Sequence, residues 1–168
     1  MSSGTGIDRI YPGGGLAAAG RACYSREGRD ETGSPAGSTA KPRIMIVEDD
    51  YFAGLASEQA LLAAGYDVVG LVTNGHDAVA LAERERPALV VMDIQLAGGS
   101  DGVAAAIEIS EHQGIRSIFA TAQADKTTQT RAAAACPLGW LAKPFSGPML
   151  VRAVASALRM LDGDVVAH

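Results

Sequence analysis

From Arg43 onward, short apolar runs alternate with helical patterns, and this alternation constrains the fold more than any other feature of the chain. Runs at 44–47, 67–72, 88–92, 115–120 and 140–142 read as strands. The segments between and after them predict helices over 51–64, 77–86, 103–112, 125–135 and 147–161. Phe52, Leu55, Ala56, Gln59 and Leu62 fall near helical spacing, and Leu150, Val151, Val154, Leu158 and Leu161 form one stripe. Gly65, Asn74-Gly75 and Pro87 punctuate the pattern. Mostly apolar strands separated by helices of roughly ten residues imply βαβ units and a parallel sheet buried on both faces. Right-handed crossovers then place helices on both sides, which predicts an α/β, doubly wound, five-stranded parallel sheet.

The 168 residues are enough for one domain with a sizeable core, expected over 42–163. Residues 1–41 are rich in Gly, Ser, Ala and Arg and sustain no period, so they read as a disordered extension; 164–168 read as a short tail. No second folded domain is expected after the last helix. The net charge is −5 and the basic residues form no patch, which argues against nucleic-acid or anionic-membrane binding. No apolar run approaches the length of a membrane span. Cys23 and Cys136 lie far apart without motif spacing, so neither a disulfide framework nor a zinc site is expected, in keeping with a cytoplasmic location.

The acids are not spread evenly over this pattern. Glu48-Asp49-Asp50 ends the first strand, Asp93 the third, Thr121 the fourth and Lys143 the fifth. In an open parallel sheet these C-terminal ends share one edge, and ligands bind where the strand order reverses. If the first and third strands are neighbours, Glu48, Asp49 and Asp93 converge on one crevice. Carboxylates at close range suit a hard divalent cation such as Mg²⁺, which leaves positions for water and phosphate oxygens. A carboxylate beside such a cation can attack phosphorus, and a hydroxyl and an ammonium nearby stabilise the transferring group.

The constellation resembles the receiver domain of two-component response regulators. The resemblance spans about 43–161 and rests on Glu48-Asp49, Met92-Asp93, Thr121-Ala122 and Lys143-Pro144-Phe145, in order and in register. It implies a flavodoxin-like sheet of order 2-1-3-4-5. It further implies that Asp93 is the phosphoacceptor, that Asp49 binds Mg²⁺ directly and Glu48 through water, and that the backbone carbonyl of Gln95 is a further ligand. Mn²⁺ could stand in for Mg²⁺. Thr121 and Lys143 would contact the phosphoryl group, Thr121 and Trp140 would form the switch pair, and Lys143-Pro144 would be a cis peptide. The expected donor is a sensor histidine kinase or a histidine phosphotransfer protein, and the expected output is contact with a downstream protein, without nucleic acid or membrane. The face made by the fourth helix, fifth strand and fifth helix is the expected surface for that contact or for a homodimer. Enzymatic activity is expected only on the domain itself.

Two other functions share these residues. A metal-dependent phosphohydrolase also forms an aspartyl phosphate, but typically carries a second acid two residues after its nucleophile, where this chain has Gln95. A receiver-like interaction module that is never phosphorylated would not need Asp93, Thr121 and Lys143 together. Among the neighbouring residues, Asp50 and Asp101 read as helix caps, Gly98, Gly99 and Gly102 as loop-shaping glycines, His76 and His112 as solvated helix positions, and Cys136 as a small buried residue.

Overall fold

The computed structural model describes residues 10–11, 40–122 and 125–166. Among these residues six strands form one sheet: β1 (Ile10–Tyr11), β2 (Arg43–Val47), β3 (Asp67–Val72), β4 (Leu89–Asp93), β5 (Ser117–Thr121) and β6 (Gly139–Ala142). Five helices connect or follow them: α1 (Tyr51–Ala63), α2 (Gly75–Glu85), α3 (Gly102–Gln113), α4 (Lys126–Ala132) and α5 (Gly147–Val166). The order across the sheet is β1-β6-β5-β4-β2-β3, and every neighbouring pair is parallel except β1 with β6. Leaving β1 aside, this is the five-stranded 2-1-3-4-5 order expected from the sequence.

The two-residue period of each strand sorts the core. Ile44 and Ile46 face one side with Leu89, Val91, Ile118 and Leu141, where Leu61 of α1 and Leu150, Val154 and Ala157 of α5 cover them. Met45 and Val47 face the other side with Val90, Met92, Phe119 and Trp140, under Ala78 and Leu81 of α2 and Val103, Ala106 and Ile109 of α3. Strands β4 and β5 are buried along their whole length, as central strands covered twice must be.

Short polar side chains set the helix starts. Asp50 Oδ1 accepts from the backbone N–H of Phe52 at 2.9 Å and of Ala53 at 3.0 Å, so it is the cap expected for α1. Asn74, Asp101 and Asp125 cap α2, α3 and α4 in the same way. The helix predicted over 125–135 is α over Lys126–Ala132 and then tightens into a 3-10 turn, Ala133–Ala135. Cys136, left-handed at φ 49°, and Pro137 then stop it. The last helix runs past the predicted 161 to Val166, into the expected tail.

Two expectations about Cys136 are corrected. It is half-buried rather than buried, and it is disulfide-bonded. The extension expected over 1–41 lies outside the described residues, except for Ile10–Tyr11 and the residues from Ala40 onward. Ile10 pairs with Leu141 and Tyr11 with Trp140, antiparallel, on the outer edge of β6. No helix among the described residues is long and apolar enough to cross a membrane.

Candidate functional site

Adjacent pairing of β2 with β4 and of β4 with β5 brings the expected residues to one edge of the sheet. Glu48 follows β2 and is fixed by its backbone N–H, which donates to the Val72 carbonyl at 2.9 Å. Asp93 is the last residue of β4 and Thr121 the last of β5. Lys143 follows β6, with its N–H donating to the Thr121 carbonyl at 2.8 Å. Glu48, Asp93 and Thr121 are buried, whereas Asp49 is exposed.

The Lys143 ammonium ties the carboxylates together. Its Nζ donates to Glu48 Oε2 at 2.6 Å and to Asp93 Oδ2 at 2.7 Å. The remaining oxygens take backbone donors: Asp93 Oδ1 accepts from Gln95 N–H at 3.1 Å, and Glu48 Oε1 from Asp50 N–H at 3.2 Å. Burial drives the Glu48 carboxyl above the usual glutamate value, and the nearby Asp93 charge adds to this, against the pull of Lys143. Burial alone would depress Lys143, but its hydrogen bonds to Asp93 and Glu48 outweigh burial and hold the ammonium above the ordinary lysine value.

Glu48, Asp49 and Asp93 each offer a carboxylate oxygen within 4.8 Å of the others. A single ammonium does not neutralise three carboxylates. An all-oxygen donor set with one member open to solvent fits a hard divalent cation that keeps part of its hydration shell. Gln95 is exposed at its side chain and tied to the site through its backbone.

The loop after Asp93 is held by Gly102. A Cβ there would lie 1.8 Å from the Asp93 carbonyl oxygen, so only glycine permits the approach. The Gly102 N–H donates to the Ile94 carbonyl at 3.0 Å, which folds the loop back on the strand end. Gly98 and Gly99 have φ of 70° and 74°, which the turn requires. Asp101 caps α3 and also receives both Arg131 terminal nitrogens, at 2.7 and 3.3 Å, linking this loop to α4. The sequence marked Asp101 as a cap, but a partner thirty positions away on another helix carries no local signal.

Trp140 lies in the core on the α3 side, with its ring 5.0 Å from that of Phe119 and tilted by 31°. Lys143-Pro144 is cis, as the resemblance implies. His76 and His112 are exposed, as expected.

Beside the acidic cluster, and sharing Lys143 with it, is a groove of about 420 Å³ between α1 and the start of α5. Ala53, Ser57, Pro144, Phe145 and Leu150 line it. Tyr51 and Phe52, exposed at 65% and 79%, stand at the adjacent start of α1.

Residues 44–155 match the response regulator receiver domain. The chain belongs to that family. The match includes every strand-end residue of the site. This receiver is 33% identical over 129 residues to the transcriptional regulatory protein PdtaR of Mycobacterium tuberculosis, covering 73% of this chain and 62% of that protein. It is 33% identical over 129 residues to the phyllosphere-induced regulator PhyR of Methylorubrum extorquens, covering 76% of this chain and 47% of that one. Among solved structures, the signal receiver domain of a modulated diguanylate cyclase from Desulfovibrio desulfuricans superposes with a TM-score of 0.68 at 35% identity, covering 74% of this chain and 98% of that one. The receiver thus spans less than two thirds of PdtaR and PhyR, but nearly all of the isolated receiver domain.

Proposed function

We propose that this receiver takes a phosphoryl group onto Asp93 from a phosphohistidine on a sensor kinase or phosphotransfer protein, and signals through protein contacts. The observation that carries the reading is the double contact of the Lys143 ammonium with Asp93 and Glu48, at 2.7 and 2.6 Å, in a largely buried site. An Asp93 oxygen attacks phosphorus, the P–N bond breaks, and the imidazole leaves as it takes up a proton; the product is an aspartyl phosphate. Lys143 is close enough to follow the charge as it moves from the carboxylate to the phosphoryl oxygens. Thr121, at the end of the adjoining strand, offers a hydroxyl on the same edge. Glu48, Asp49, Asp93 and the Gln95 carbonyl would hold Mg²⁺, which when bound neutralises the phosphoryl oxygens.

Attack by water on the aspartyl phosphate returns the free carboxylate, so the domain acts on itself and turns over no separate substrate. Exposed Tyr51 and Phe52 and the neighbouring apolar groove supply a surface on which a phosphohistidine helix can rest while its phosphate reaches Asp93. Phosphorylation then biases two arrangements of Thr121, Trp140 and the face made by α4, β6 and α5, which meets a downstream protein. Such partners place the domain in the cytoplasm.

The test is intact mass after incubation with acetyl phosphate. Wild type gains one phosphoryl group only with Mg²⁺ present, and Asp93→Asn gains none. Labelling of Asp93→Asn to the wild-type extent overturns the assignment. Steady release of phosphate from a phosphate ester would point instead to a hydrolase.

A further inference from the structure

The sheet has two outer edges, and they are defended differently. The β3 edge begins with the charged Asp67, which lies 3.7 Å from Arg43, and is irregular where its pairing with β2 skips from Val68 to Gly70. A charge and a bulge are the usual means of discouraging another strand from adding to an edge. The β6 edge, Gly139-Trp140-Leu141-Ala142, has no charge, no proline and no irregularity in its pairing with β5. A regular apolar strand of this kind leaves main-chain donors and acceptors directed outward, a template for any extended chain. Here the template is filled by the chain itself, through Ile10–Tyr11.

We propose that the outer edge of β6 is a strand-addition site that Ile10–Tyr11 covers in cis, and that a second copy of this chain takes the edge when the cover lifts. The cover is short, two residues, so it contributes little and exchanges readily. A second β6 is the matching occupant. It is equally apolar and uncharged, and antiparallel pairing of one β6 with another is two-fold symmetric and self-limiting at a dimer. The strand under the cover contains Trp140 and leads directly to Lys143, so whatever occupies the edge lies next to the element that holds the site's ammonium.

The test uses the full chain carrying Ile10→Pro and Tyr11→Pro together, which removes both main-chain donors and the strand's pairing geometry. Hydrogen exchange is followed over 139–142, and mass by light scattering across a concentration series. The expected result is exchange at 139–142 faster by about tenfold at the dilute end of the series, where no second copy re-covers the edge, unchanged exchange over β5, and a mass that climbs from monomer towards dimer with concentration, while wild type stays monomeric. Unchanged exchange at 139–142, or an equal rise over β5, overturns the cover. Faster exchange with a mass that stays monomeric at every concentration overturns the second copy as occupant.

Discussion

Gly102 and Asp93 meet so closely that a Cβ on residue 102 would stand 1.8 Å from the Asp93 carbonyl oxygen. The contact holds the loop that follows the strand end against the Asp93 backbone, while the Asp93 carboxylate is held by Lys143 and the Gln95 N–H.

Gly102→Ala therefore cannot be absorbed by a side-chain rotation, because the atom in the way is backbone. The expected loss is about 1–3 kcal/mol of stability, the usual cost of forcing atoms into a packed site. Labelling by acetyl phosphate should fall further than the stability loss alone explains. Urea unfolding and intact mass on the same sample check both.

Lys143→Met keeps the aliphatic stem and removes the ammonium from two buried carboxylates. Breaking a fully buried pair costs about 3–5 kcal/mol. The Lys143 side chain is 25% exposed, so a loss of about 1–3 kcal/mol is expected, read by urea unfolding at neutral pH. Glu48→Gln in the same background should recover part of it, since one uncompensated charge is then gone.

Divalent cation should stabilise the folded chain, since the donor set exists only there. At a Mg²⁺ concentration ten times Kd the gain is about 1.4 kcal/mol. Asp49→Asn should abolish most of this gain while leaving metal-free stability nearly unchanged, because Asp49 is exposed. Urea titrations with Mg²⁺ and with chelator measure the difference.

The Asp125 carboxylate is held below the usual aspartate value, chiefly by the backbone N–H of Thr128, which it caps at 2.7 Å. A carboxyl whose folded value is depressed adds stability above its unfolded value, and loses it as pH falls through the lower folded value. Protection of the α4 amides, corrected for intrinsic exchange, should therefore be lower in Asp125→Ala than in wild type at neutral pH. The two should converge below the ordinary aspartate value of 3.8.

The sequence made the sheet and its acidic edge readable because both rest on local signals. A strand's apolar run and an Asx cap two or three residues before its donor are visible in a short window, as with Asp50 and Asp101. The strand ends were placed to within a residue or two: β4 takes in Asp93 and β5 takes in Thr121, which the apolar runs alone left just outside. The Lys143 bridge to Glu48 joins residues ninety-five positions apart, and the shared C-terminal edge of a parallel sheet rather than any local period brought the two together. Ile10–Tyr11 was hidden for the opposite reason. Two apolar residues in a Gly- and Arg-rich stretch show no period, and their pairing depends on an edge that only the folded sheet supplies.

The central claim is that Asp93 itself carries the phosphoryl group. Borohydride reduces an aspartyl phosphate to homoserine and leaves free carboxylates alone, so peptide mass mapping after treatment with acetyl phosphate, Mg²⁺ and borohydride names the residue. The account predicts conversion at position 93 alone, and none without Mg²⁺. Conversion at Glu48, Asp49 or any other carboxylate in place of Asp93 would contradict it.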